Sequence, residues 1–177
     1  MSYLENYRSI VATATPAQIE SAVSWYLEAE LLAKDIQTIF ANRNMQVSLE
    51  SSASVISAFS PRQRWNRNVI QAVEFAHGGK PAGLKNNLRM AENSLVHGFK
   101  ALKGQKTNAF AKAIAGDETA ITIDVWMCYA GGLKTNAPNK TQYREMSEAV
   151  NIVAGEIKLS PRATQALIWI IFRGSAE

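Results

Sequence analysis

The residues with the strongest chemical signal form a short turn, Lys103-Gly104-Gln105-Lys106, that leads into a helix beginning near Thr107. Gly104 has access to positive φ and lets the backbone approach a ligand closely. The start of the helix presents unpaired N–H groups, and the positive end of the helix dipole favours an anion there. A DNA phosphate would satisfy such a site, and Lys103, Gly104, Gln105 and Thr107 are the candidate contacts. On these local features alone, an ordinary solvent-exposed turn between two helices is the favoured interpretation.

A second charged residue, Asp124, follows the helix that this turn begins. The helix predicted from Thr107 to Ala115 is closed by Gly116, and an apolar run follows before Asp124. Asp124 has the residue type and position of an N-cap for the next helix, a role worth about 1 kcal/mol. It lies 18 positions after Lys106.

This arrangement resembles the helix-hairpin-helix DNA glycosylase superfamily, the endonuclease III-like group. Residues 104–107 match the G-x-K-T core of its hairpin, and the spacing from Lys106 to Asp124 is the one found there. The likeness spans roughly residues 47 to 130 and is most specific between 104 and 124. Leu102 and Lys103 replace the first proline and glycine of the family hairpin, Trp126 replaces a usual histidine, and the cysteines of the iron–sulfur cluster are absent.

The resemblance implies a two-lobed helical domain that contains a helix-hairpin-helix motif and binds double-stranded DNA across its cleft. The target base would be extruded from the stack and excised, because its glycosidic bond is out of reach inside the duplex. Asp124 would stabilise positive charge on the sugar or activate the attacking group. Lys106 would be a nucleophile at C1′ if the enzyme is also an AP lyase. No cofactor is implied.

Each of several other side chains has two alternative interpretations. Phe59 is either a wedge that fills the gap left by the extruded base or a core residue. Arg62 and Arg64, with Arg67 and Trp65 nearby, form either a phosphate-facing rim or a solvated charged face. Trp126, like Trp25 and Trp169, lies in an apolar segment typical of the core, and its place two residues after Asp124 would also suit a base pocket.

Three further functions stay open at this point. The first alternative is a DNA-binding protein without catalysis, and the second is an enzyme that processes modified bases on the same scaffold. The third is a helical structural protein in which the 18-residue spacing is a coincidence. The base itself cannot be named, because side chains from distant segments would form its pocket.

Periodicity and capping signals predict one all-α domain over residues 1–177 with about eight helices. Helix starts are indicated by Thr15 with Pro16 and Gln18, by Ser48, by Asp124, and by Ser160 with Pro161. Further helices are expected over 63–77, 84–98, 107–115 and 143–156, and the final helix ends at Arg173.

Composition limits the classes of protein. Apolar residues make up 47% and charged residues 19%, which is typical of a globular chain, and the net charge of +4 suits a polyanionic partner. With one cysteine and two histidines we expect no disulfide, metal cluster or zinc site. The N-terminus has no signal-peptide pattern and no apolar run reaches 18 residues, so we expect a cytoplasmic monomer without a membrane span.

Overall fold

Helices make up the regular structure of this protein. The computed structural model describes residues 2–135 and 137–174, and within these ranges it contains nine α-helices, one 3-10 turn and no strand. The prediction of an all-α fold is confirmed. A helix-hairpin-helix motif stays a prediction.

The chain forms two compact units, where the resemblance implies two lobes. The first unit contains the described residues up to Tyr26 and from Asp117 onward, and the second unit is Leu27–Gly116. The helices of the first unit are α1 (Tyr3–Val11), the part of α2 (Pro16–Asn42) up to Tyr26, α7 (Val125–Ala130), α8 (Lys140–Ile157) and α9 (Pro161–Arg173). The second unit holds the rest of α2, α3 (Leu49–Phe59), α4 (Trp65–Ala76), α5 (Lys85–His97), a 3-10 turn (Gly98–Ala101) and α6 (Gln105–Ile114).

In the first unit, α1 packs against α8 and α9, and α7 packs against α9. The ring of Tyr7 on α1 is fully buried, and its hydroxyl donates a hydrogen bond to the carbonyl of Met127 at 2.9 Å. Burial of aliphatic side chains from α8 and α9 completes this core, for example Val150, Leu167 and Ile168.

In the second unit, α3 is the central helix and packs against α4, α5 and α6. Every residue from Ser51 to Phe59 is buried, although several are serines. Small side chains let the neighbouring helices come close to α3. This packing fixes the positions at which α4, α5 and α6 begin.

The helix starts indicated by local signals are confirmed. Thr15 and Gln18 form a capping box, with the Gln18 amide donating to the Thr15 hydroxyl at 3.3 Å. Ser48, Asp124 and Ser160 cap α3, α7 and α9 through their side-chain oxygens.

The structure also differs from the expectations. Helix α1 was not expected, and it is capped by a box of Ser2 and Glu5. Helix α8 begins at Lys140, three residues before the expected start, because Asn139 and Gln142 form another capping box. No helix in the described part of the chain is both long and apolar enough to cross a bilayer.

Candidate functional site

Several side chains fix the connection between α5 and α6, and Asn108 makes two of the hydrogen bonds. Asn108, on the first turns of α6, donates from Nδ2 to the carbonyl of Phe99 at 2.8 Å and to that of Leu102 at 3.4 Å. The side chain of Leu102 is buried, which anchors the segment between the 3-10 turn and α6. The tip that follows is therefore presented on a fixed base.

That tip consists of Lys103, Gly104 and Gln105, which are exposed, followed by the half-buried Lys106. Gly104 has φ −77° and ψ 135°, so the expectation of a positive φ is wrong. A Cβ at Gly104 would lie 3.2 Å from the Thr107 hydroxyl, and this close approach is the structural reason for glycine at this position.

Thr107 ties the tip to the core of the second unit. Its hydroxyl donates to the Gly104 carbonyl at 3.1 Å, and its own carbonyl accepts from the buried Ser57 hydroxyl at 2.7 Å. Because Thr107 is itself buried, its hydroxyl is a positioning group of the turn. The exposed Lys103, the half-buried Lys106 and the backbone N–H groups at the start of α6 are the groups here that could contact an anion.

Three helices of the second unit begin in the same unusual way. Among the described residues, no side chain caps the starts of α4, α5 or α6, and none of the three carries an acidic residue in its first turn. Basic residues stand there instead: Arg64 and Arg67 at α4, Lys85 at α5, and Lys103 and Lys106 at α6. A positive side chain at the positive end of a helix dipole is electrostatically unfavourable unless an anion joins it.

Two contacts link these helix starts to one another. The ring of Trp65 on the first turn of α4 meets the ring of Phe110 on α6 edge to face, with centroids 6.2 Å apart. Asn87 on the first turn of α5 donates to the carbonyl of Pro61, just before α4, at 3.4 Å. The Pro61–Trp65 segment is thus next to both α5 and α6, and the exposed Arg62 and Arg64 lie on it. Arg62 has φ 61°, a left-handed conformation that is uncommon for arginine.

Phe59 is a core residue, and the interpretation of Phe59 as a wedge that fills the gap left by an extruded base is wrong. Its side chain is 2% exposed and packs edge to face against Phe75, with centroids 5.7 Å apart. A ring held inside the second unit has no access to a base stack.

Asp124 is the N-cap of α7 and accepts a hydrogen bond from the Met127 amide at 2.9 Å. Its half-buried carboxylate is close enough to the hydroxyl of Tyr143 and the thiol of Cys128 to affect both. Burial, reinforced by the charge of Asp124, raises the pKa of Tyr143 to about 12 and that of Cys128 to about 11. Both groups are neutral at physiological pH.

Trp126 is 38% exposed, so it is not the core residue that its apolar segment suggests. The guanidinium of Arg173 lies 5.8 Å from the centroid of its ring, and Tyr129 meets it edge to face at 6.3 Å. Trp25 and Trp169 are half-buried, and their rings meet edge to face with centroids 6.1 Å apart. A base-binding role for Trp126 stays a prediction.

A buried polar cluster of the first unit was missed by sequence reasoning. The Tyr26 hydroxyl donates to Gln165 Oε1 at 2.7 Å, and the guanidinium of Arg162 lies 5.4 Å from the centroid of the Tyr26 ring. Arg162 is 5% exposed and is 3.9 Å from the carboxylate of Glu118. No local pattern identifies these residues, because Tyr26 is on α2 and its partners are on α9.

Lys106 belongs to the second unit and Asp124 to the first, and their action as a pair stays a prediction. In the part of the chain that the structure describes, no three His, Cys, Asp or Glu side chains form a group that could hold a metal ion.

The fold and the basic helix starts define an all-helical protein with one strongly basic unit. Comparison of the sequence with known families gives its place more specifically: the chain belongs to DUF7178, a family of unknown function, whose model matches residues 2–176. No curated protein and no solved structure matches the chain.

Proposed function

We propose that this protein binds duplex DNA through its second unit, with backbone phosphates at the starts of α4, α5 and α6. The observation that carries the proposal is the shared character of these three helix starts, which are uncapped, basic and free of acidic residues. Each offers N–H groups without intrahelical partners together with a positive side chain, which is the combination that holds a phosphate.

The distribution of charge supports a polyanionic partner for this unit. Residues 27–116 contain twelve Lys or Arg and six Asp or Glu, a formal net charge of +6. Residues 1–26 and 117–176 contain seven against eight, a net charge of −1, and Glu177 completes the total of +4. The basic character of the whole chain therefore comes from the second unit.

The tip before α6 supports binding that depends mainly on phosphates. It presents the exposed Lys103, Gly104 and Gln105 and the half-buried Lys106, and its lysine ammonium and backbone N–H groups suit phosphate contacts, which carry no sequence information. Asn108 and Thr107 hold the tip in place before any ligand arrives, which lowers the entropic cost of binding.

The test measures the affinity of a labelled, blunt-ended duplex at low salt by fluorescence anisotropy. We expect Lys103→Gln and Lys106→Gln each to weaken binding several-fold and to reduce the slope of log K against log salt by about 1. The matched control is Lys140→Gln, because Lys140 is exposed at the start of α8, a helix whose start is capped by Asn139. Absence of duplex binding, or an equal loss in all three variants, contradicts the proposal.

Excision of a base from the bound DNA is the second candidate function. It rests on the resemblance and is favoured by one observation, the half-buried carboxylate of Asp124 two residues from the exposed ring of Trp126. Asp124→Asn tests it well, because asparagine is as good an N-cap as aspartate and leaves α7 intact. Base release from a panel of lesion-bearing duplexes should be lost in this variant while affinity for the duplex is kept or increased.

The role of Lys106 in the second candidate has its own readout. If Lys106 is the nucleophile, borohydride traps a covalent complex with the wild type and none with Lys106→Gln. If the panel gives no base release with the wild type, DNA binding stands alone. If Asp124→Asn releases the base at the normal rate, excision does not depend on Asp124.

A further inference from the structure

The first unit carries two exposed aromatic residues on α7, Trp126 and Tyr129, which together with Arg173 at the end of α9 we name the Trp126 surface. Trp126 and Tyr129 are 38% and 43% exposed, and their rings meet edge to face. Single exposed apolar residues are common, whereas exposed rings grouped beside a cation form a candidate recognition surface.

The positive charge of this surface belongs to Arg173, whose guanidinium packs against aromatic rings. The guanidinium of Arg173 lies 5.8 Å from the ring centroid of Trp126 and 4.9 Å from that of Trp169. Among the described residues, no carboxylate forms an ion pair with Arg173. Arg173 thus combines contacts with two aromatic rings and a positive charge that no carboxylate of the described residues neutralises.

We propose that the Trp126 surface binds an unpaired nucleotide, with its base stacked on the exposed part of the Trp126 ring and its phosphate on the guanidinium of Arg173. An aromatic plane beside an unneutralised guanidinium matches the two halves of a nucleotide, a flat base and an anionic phosphate. An apolar protein partner would leave the charge of Arg173 buried without a counterion. The inference does not rest on the proposed duplex interface, which uses residues of the other unit.

The experiment uses the full chain and a single-stranded oligo(dT) of about 12 nucleotides, a length that matches typical single-strand sites and cannot form a duplex with itself. Stacking of a base on an indole quenches the fluorescence of the indole. The strand should quench the wild type, which has four tryptophans, and Trp126→Phe should lose a large part of that quenching. Quenching at Trp126 is independent of phosphate contacts in the second unit, so it persists even if the duplex interface fails.

Affinity for the same strand gives the second readout. We expect Trp126→Ala and Arg173→Gln to weaken binding about fivefold or more, and Trp126→Tyr, which keeps a stacking plane, to weaken it about twofold or less. The matched control is Arg144→Gln, which removes an exposed arginine of the same unit that is paired with Glu148. If Trp126→Ala fails to fold, judged by circular dichroism, Trp126→Tyr and Arg173→Gln still decide the question.

Three outcomes overturn the proposal: no quenching of the wild type by oligo(dT), quenching that is unchanged in Trp126→Phe, or an equal loss of affinity in Arg144→Gln and Arg173→Gln. A fourth concerns a lipid surface, which exposed aromatic residues and arginine can also suit. If vesicles of phosphatidylcholine and phosphatidylserine shift the Trp126 emission to the blue while oligo(dT) has no effect, the surface binds lipid.

Discussion

The two units of this protein treat the starts of their helices in opposite ways. In the first unit every described helix start is capped by a side chain, from Ser2, Thr15, Asp124, Asn139 and Ser160. In the second unit only α3 is capped, by Ser48, while α4, α5 and α6 begin with basic residues and no cap. The first unit thus satisfies its helix starts with its own side chains, and the second leaves three of them without a side-chain cap.

The difference has an energetic meaning. A side-chain cap stabilises a helix by about 1 kcal/mol, and a basic residue at a helix start costs a few tenths of that through the dipole. The second unit gives up most of this stability at α4 and α5, whose N-cap residues are Arg64 and Leu84, and less at α6, because glycine at the N-cap costs only a few tenths of a kcal/mol. Such a loss is typical of binding sites, where local stability is exchanged for a ligand contact.

The largest expected effect comes from reversing charge at all three uncapped starts. The triple variant Arg64→Glu, Lys85→Glu and Lys106→Glu should weaken duplex binding by about a hundredfold or more at moderate salt, because about three phosphate contacts are lost and repulsion is added. Its control, Lys140→Glu with Arg144→Glu and Lys158→Glu, changes the net charge equally in the first unit. Equal losses in the two variants, measured by anisotropy, would mean that net charge alone decides affinity.

Alkaline pH should destabilise the protein through its first unit, which holds all five tyrosines and the cysteine. Burial raises the pKa of Tyr143 from 10.0 to about 12. Its contribution to stability is therefore complete below pH 10 and is lost as the pH rises through 12, since the unfolded chain releases the proton first. Tyr143 alone should remove about 1 kcal/mol from the unfolding free energy by pH 11.

Urea unfolding at pH 8 and pH 11 measures this loss. Tyr143→Phe should be less stable at pH 8, because the hydroxyl no longer donates to the Ile121 carbonyl or accepts from the Ile123 amide. It should also lose less stability between the two pH values than the wild type does. A variant with the same pH dependence as the wild type would show that the Tyr143 hydroxyl is not the group that titrates.

The cap of α7 offers a smaller effect. Asp124→Ala should lower the unfolding free energy by about 1 kcal/mol, and Asp124→Asn should change it by only a few tenths, since asparagine also caps. Thermal or urea unfolding of the two variants gives the comparison. Equal destabilisation would mean that the charge of Asp124, rather than its hydrogen bond to Met127, stabilises the first unit.

Sequence patterns predicted the parts of the fold that depend on neighbouring residues. The capping side chains at 15, 48, 124 and 160 each accept a hydrogen bond from the backbone amide three residues later, so local signals suffice. The boxes of Ser2 with Glu5 and of Asn139 with Gln142 are equally local, and α1 and the true start of α8 were readable from the sequence although they were not expected.

Burial could not be predicted in this way. The apolar residues Ile19, Val23, Leu27 and Leu31 have helical spacing and are exposed. The buried positions of α2 are instead Ala22, Tyr26, Ala29, Ala33, Ile36 and Phe40. Phe59 is buried and Trp126 is exposed, and neither result follows from the neighbouring residues. Phe59 packs against Phe75 and Trp126 lies beside Arg173, and both partners are distant in the sequence. The pairing of Arg162 with Glu118 and Tyr26 depends on such distant contacts too.

The most direct test of the contrast between the units is a titration of the isotope-labelled protein with a blunt-ended duplex, followed by the backbone amide signals in NMR. The account predicts shifts at the uncapped starts, at Trp65 and Asn66, Lys85 and Asn86, and Gln105 and Lys106. The capped starts at Glu5, Met127, Gln142 and Ala163 should stay unchanged. Shifts confined to the capped starts, or none at saturating duplex, would contradict the claim that the open helix starts of the second unit bind DNA.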